Sequence, residues 1–177
     1  GIIAAPMSYA VGGKQYVSIL VGYGGTSAAF GEFMNMGWKY GAQPRRLLTF
    51  ALDGKAQLPA SPPADMKVHA LDDPALTLDE ADVKAGWALS VRCAACHGVG
   101  MQSAGTPGPD LRESGIALRV DTLGELLKGG ALMERGMPRF DMLSDAEVRQ
   151  LHAYIRARAR EALGTRKADT GPAPVKL

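Results

Sequence analysis

Cys93 and Cys96 are the only two cysteines in a chain of 177 residues, and His97 follows the second of them directly. The run Cys93-Ala94-Ala95-Cys96-His97 has the spacing of a c-type haem attachment site. Two thiols a helical turn apart can add across the two vinyl groups of a haem as thioethers, and the histidine then lies beneath the porphyrin with an imidazole nitrogen facing the iron. Iron held by His and Met favours electron transfer over oxygen chemistry. Two other readings of the cysteines compete. A thioredoxin-like pair wants a βαβ context, whereas Gly98-Val99-Gly100 and a Pro/Gly-rich loop follow here. A zinc site needs two further ligands, and only His69, His152 and scattered carboxylates remain to supply them.

The elements around the motif must position it. Thr77-Leu78-Asp79-Glu80 has the spacing of a capping box, with Thr at the cap and Glu three later. The helix that follows places Val83, Trp87 and Val91 on one face and runs straight into Cys93. Trp87 is large enough to wall one side of a haem, and plain helix–helix packing is its other reading. Val120-Asp121-Thr122 starts a second helix with Leu123, Leu126 and Leu127 inward, and Gly129-Gly130 ends it. Ser144-Asp145-Ala146-Glu147 is a second capping box. It launches a last helix with Val148, Leu151 and Ile155 inward and Arg149, Arg156 and Arg160 outward. His152 lies beside the apolar stripe and reads as a core-edge histidine. Ahead of this helix stands Arg135-Gly136-Met137-Pro138, where Gly136 lets the backbone approach a ring and Pro138 stiffens the loop. Met133, Met142, Met101 and an open site stay as alternatives to Met137 for the second ligand position, since a methionine in a core is usually gap-filling.

The first sixty residues read differently. Met7 to Val11, Gly12-Gly13 and Lys14 to Val21 predict a β-hairpin on a glycine turn. Weak alternation in Lys14 to Val21 predicts a strand buried on both faces, and Arg45 to Leu52 resumes strand character. Gly22 to Ala42 is a glycine-rich excursion with interleaved aromatics, in which Trp38 reads as a packing anchor rather than a cofactor contact. Two or three strands are marginal alone in water, so a larger sheet assembly is expected. Gln57 to Pro74, with Pro59, Pro62, Pro63 and Pro74, reads as an extended linker, and His69 as an exposed residue within it. The tail from Gly164 lacks apolar content and is expected to be disordered.

Hydrophobic and charged fractions of 46% and 21% belong to a globular chain. A net charge of only +2 gives no footprint for nucleic acid, and no apolar run reaches the length of a membrane span. Covalent haem attachment normally takes place outside the cytoplasm, yet the chain opens Gly1-Ile2-Ile3 without an initiator Met or a signal sequence. The front of a precursor is therefore expected to be missing.

A family resemblance joins these pieces. Gly1 to Tyr9, Gly13 to Ser18, Gly22-Tyr23-Gly24-Gly25 and Gln43 to Lys55 resemble the final propeller segment of PQQ-dependent quinohaemoprotein alcohol dehydrogenases. In that family an eight-bladed β-propeller holds pyrroloquinoline quinone (PQQ) and calcium, and a C-terminal cytochrome domain receives the electrons. The resemblance implies propeller strands over residues 1–58, a Pro-rich linker over 59–75, a mainly α, class I-like cytochrome c domain over 76–163 and a tail over 164–177. It implies that the catalytic residues, the calcium ligands and most of the quinone pocket lie upstream of Gly1; Tyr23 to Thr26 either line the quinone or form a plain connector.

Similarity to class I cytochromes c implies that the Pro109 carbonyl receives the second imidazole nitrogen of His97. It also implies that Leu111 packs on the porphyrin edge and that Gly136-Met137-Pro138 provides the thioether ligand. Arg112 has two readings, a haem propionate partner or a solvated loop arginine. The function implied is one-electron relay by haem c, from the upstream propeller to a periplasmic acceptor such as a small copper protein or cytochrome. The alternative counts the chain as the PQQ-dependent enzyme itself, although this segment alone carries no catalytic residue for alcohol oxidation.

Overall fold

The computed structural model describes residues 2, 4–22, 39, 41–103 and 106–164. The expectations for Tyr23 to Thr26, Trp38 and the tail beyond Gly164 lie outside the described residues. Three strands, β1 (Met7–Val11), β2 (Lys14–Val21) and β3 (Arg46–Ala51), form an antiparallel sheet in the order β1-β2-β3. Three α-helices follow among the described residues: α1 (Glu80–His97), α2 (Val120–Gly129) and α3 (Asp145–Ala162). Contacts divide the fold into two units. The first takes the residues up to Lys67 together with Ala94–Pro109, and the second takes Val68–Cys93 and the residues from Asp110 onward.

In the first unit, β1 and β2 meet through Gly12 and Gly13, with φ of 58° and 77° and Val11 paired to Lys14. Positive φ at both central residues makes the two-residue turn whose twist matches the strands. Tyr9 stacks on Tyr16 with ring centroids 5.6 Å apart. Buried Ser18 bonds both Tyr9 Oη at 3.1 Å and Thr49 Oγ1 at 2.7 Å, so one hydroxyl ties all three strands together. Burial of β2 on both faces is not found. Leu20 and Leu47 oppose each other on one face, 60% and 62% exposed, and Val17 and Phe50 do so on the other. Three strands are too few to cover their own apolar side chains.

In the second unit the α1 face expected to pack does so only in part, with Val83 half-buried and the other two positions open. Trp87 is 59% and Val91 65% exposed, and the buried positions are Gly86 and Ser90. Size decides this. Gly86 lies so close to α3 that a Cβ there would sit 2.0 Å from Gln150 O and 2.8 Å from Tyr154 Cβ. Only a glycine permits that approach of two helix backbones. The α1 cap is likewise Asp79 rather than Thr77, since Asp79 Oδ1 accepts from Ala81 N at 2.7 Å and Asp82 N at 3.4 Å. The α3 capping box is formed as expected, with Ser144 Oγ accepting from Glu147 N and Glu147 Oε2 accepting from Ser144 N. Gly130, at φ 70°, ends α2.

Val148, Leu151 and Ile155 are buried along α3, but Arg156 is too, at 0% exposure. It turns inward because non-helical backbone needs donors: Arg156 Nη1 donates to Leu71 O at 2.5 Å and Nη2 to Leu111 O at 3.0 Å. Arg160 donates to Asp72 Oδ2 at 2.6 Å and to Asp73 O at 2.8 Å, and Leu71 N donates to Arg112 O at 2.9 Å. Within the segment expected as a linker, the residues from Val68 onward are thus strapped to the helices, with Ala70 buried, while His69 is exposed.

Candidate haem site

α1 carries Cys93 and Cys96 on successive turns, both half-buried, and ends on buried His97. After His97 the chain reverses. Gly98, at φ 78°, permits the turn, because a Cβ there would lie 1.9 Å from Gln102 O. Met101 is fully buried at φ 64°, a conformation that costs most residues energy and that surrounding packing must hold. The loop then returns to the histidine. His97 Nδ1 is 2.8 Å from Pro109 O. A carbonyl only accepts, so Nδ1 carries the proton and Nε2 is the lone-pair nitrogen. Gly108 lies against the ring, where a Cβ would sit 2.8 Å from His97 Cε1 and 2.8 Å from Cys96 O.

The remaining candidates belong to the second unit. Met137 is half-buried in a loop shaped by Gly136 at φ 87°, and its N–H donates to Leu132 O at 3.2 Å. Phe140 N donates to Leu127 O at 2.8 Å, which fixes the far side of this loop on α2. Met133 and Met142 are mostly exposed. Leu111 is half-buried at the start of a 3-10 turn. Arg112 is not a solvated loop residue. It is buried and held by Asp110 in a two-point pair, Nε to Oδ1 at 3.0 Å and Nη2 to Oδ2 at 2.7 Å, the geometry in which Arg–carboxylate recognition is strongest. Sequence reasoning left Asp110 unremarked. Its spacing of two from Arg112 was the available signal, and Asp110 also caps the turn by accepting from Arg112 N at 3.0 Å.

These residues fit a c-type haem. Two thiols stand a turn apart on a packed helix, a histidine has its tautomer fixed, and a glycine keeps the carbonyl-bearing loop flat against the imidazole. Such a bond to the distal nitrogen orients a ligating histidine and raises its basicity.

Known proteins resemble this chain along most of its length. Residues 81–155 match the family model described as "Cytochrome C oxidase, cbb3-type, subunit III". The chain is 44% identical over 165 residues to quinohemoprotein alcohol dehydrogenase ADH IIB of Pseudomonas putida, covering 91% of this chain and 23% of that protein. It is 34% identical over 175 residues to a lupanine 17-hydroxylase [cytochrome c] of Pseudomonas sp, covering 96% of this chain and 25% of that protein. A solved structure of quinohemoprotein alcohol dehydrogenase ADHIIG from Pseudomonas putida superposes with a TM-score of 0.70 at 33% identity, over 94% of this chain and 23% of that one. The chain therefore spans about a quarter of the length of the curated relatives it matches. With three α-helices and a short antiparallel sheet among the described residues, it corresponds to the C-terminal, cytochrome c part of the quinohaemoprotein alcohol dehydrogenases.

Proposed function

We propose that this chain holds haem c covalently through Cys93 and Cys96 and serves as the one-electron relay of a PQQ-dependent, periplasmic alcohol dehydrogenase. Electrons enter from the quinone-bearing propeller and leave to a periplasmic copper protein or cytochrome. The observation that carries the reading is the His97 cradle, in which Nδ1 meets Pro109 O at 2.8 Å and Gly108 admits the contact. A bound haem supplies a one-electron couple, and the protein supplies its ligands and surroundings. His97 would hold the iron through its imidazole nitrogen and Met137 through its thioether sulfur, and Leu111 would give the ring apolar packing. Arg112 is held as a fixed cation by its two-point pair with Asp110. Calcium and PQQ belong to the upstream propeller, whose strands end in β1 to β3. Apolar side chains on both faces of that sheet support this, because they want further strands and blades to cover them.

Expression with a c-type haem maturation system tests the attachment. Denatured protein is expected to retain haem, and Cys93→Ala with Cys96→Ala to lose it; release of all haem from the unsubstituted protein on denaturation would end the proposal. Met137→His is expected to lower the reduction potential, because thioether ligation favours the ferrous state. An unmoved potential and axial spectrum would transfer the ligand role to another residue.

A further inference from the structure

The loop that returns from His97 to Pro109 is held by a chain of hydrogen bonds whose far end lies in the sheet segment. Gly108 N donates to Cys96 O at 2.8 Å. Ser103 Oγ donates to Gly108 O at 2.5 Å and lies 2.6 Å from Thr106 Oγ1. The single Ser103 hydroxyl proton is spent on Gly108 O, so Thr106 is the donor between the two hydroxyls. Ser103 and Thr106 are both buried, which makes each of these bonds costly to leave unmade. Arg45 then enters from just before β3, with Nη2 donating to Thr106 O at 3.0 Å. Its stem lies across Gly22 at the end of β2, where a Cβ would come within 2.9 Å of Arg45 Cγ. A side chain on residue 22 would displace the arginine. Every one of these residues belongs to the first unit.

We infer that Arg45 is a positioning residue for His97: its grip on Thr106 O holds, through Ser103 and Gly108, the Pro109 carbonyl in place on His97 Nδ1. This rests on His97 being the haem ligand proposed above. The end of the sheet is thereby coupled to the basicity of the ligating imidazole, since a well-aligned carbonyl on Nδ1–H makes Nε2 the stronger donor. Arginine suits the task because it keeps its charge at every pH the protein meets. With Arg45 removed the loop relaxes, Nε2 donates less, and the ferric state loses support.

The test uses the haem-loaded chain in four forms: Arg45→Met, which keeps the stem and deletes the donor, Ser103→Ala, Arg45→Lys and Arg46→Met. Arg46 bonds Ser61 instead of the loop. Two readouts are followed, the midpoint potential by redox titration and the exchange rate of the His97 Nδ1 proton by NMR of the ferrous protein. Arg45→Met and Ser103→Ala are each expected to raise the potential. Each is also expected to speed exchange about fivefold, the effect of losing one ordinary hydrogen bond. Arg45→Lys is expected to restore most of both values, and Arg46→Met to leave both unchanged. Unaltered potential and exchange in Arg45→Met would overturn the inference, as would an equal shift in Arg46→Met. Haem retained with no shift defeats this inference alone, whereas failure of the unsubstituted protein to bind haem covalently defeats the proposed function with it.

Discussion

Burial holds the imidazole of His152 below its ordinary value near 6.5, and the neighbouring Leu118 carbonyl and Arg156 set the balance around it. Nε2 lies 3.1 Å from Leu118 O, which favours a proton there, and Asp121 acts in the same direction; desolvation and the Arg156 charge oppose them. Between the depressed native value and 6.5 the unfolded chain binds a proton that the native state refuses. Stability from this group is thus complete above about pH 6.5 and falls as pH drops toward the native value. Denaturant titrations at a series of pH values are expected to show that loss. His152→Gln is expected to remove it, and an unchanged slope in the variant would place the proton uptake elsewhere. A core-edge histidine was legible from its place beside the stripe Val148, Leu151 and Ile155. Arg156, four residues further along, was not. Helical periodicity says which face a side chain leaves from, but it does not say that the carbonyls of Leu71 and Leu111 wait there for a donor.

Elements were legible where the signal is local and blurred where it depends on a partner. The Ser144/Glu147 box and the Gly129-Gly130 stop of α2 act within a few residues, and the structure has both. The α1 face needed knowledge of α3. Hydrophobic spacing selected Trp87 and Val91, while the crossing selected Gly86, which carries no hydrophobic signal at all. Gly86 is consequently the position at which the pair of helices is most sensitive. A methyl group there meets the Gln150 carbonyl at 2.0 Å, and backbone cannot step aside as a flexible side chain can. Overpacking of this kind typically costs about 1–3 kcal/mol and sometimes more, and Gly86→Ala is expected at or above the top of that range. Gly124→Ala makes the control, because its nearest new neighbour is the Val148 Cγ1 methyl at 3.4 Å, an approach that a small shift relieves. Thermal melts of the two variants decide the matter: equal losses would show that the helix crossing adapts.

At the scale of the whole molecule, the helical part and the sheet are unequal in how well the chain satisfies them. The helices bury a continuous set of apolar side chains, whereas the sheet leaves Met7, Leu20 and Leu47 on one face and Val17 and Phe50 on the other open to water. Among the described residues β1 and β3 also pair on one side only, and unpaired strand edges with apolar flanks are templates for association. Contiguous exposed apolar area of this sort marks a surface that another element is meant to cover. In a protein about four times as long, as the curated relatives are, further strands would do so. The 177-residue chain on its own is expected to self-associate through the sheet. The double substitution Leu20→Lys and Leu47→Lys puts two like charges on directly opposed positions of β2 and β3. Cross-strand repulsion there costs some sheet stability, but the charges are expected to return the chain to a monomer in sedimentation velocity while leaving the haem absorption spectrum unaltered. Persistent oligomers in the double variant would move the association surface to the exposed Trp87 and Val91 of α1. An altered haem spectrum would show that the two lysines disturb more than the apolar face, the bond from Arg45 to Thr106 included.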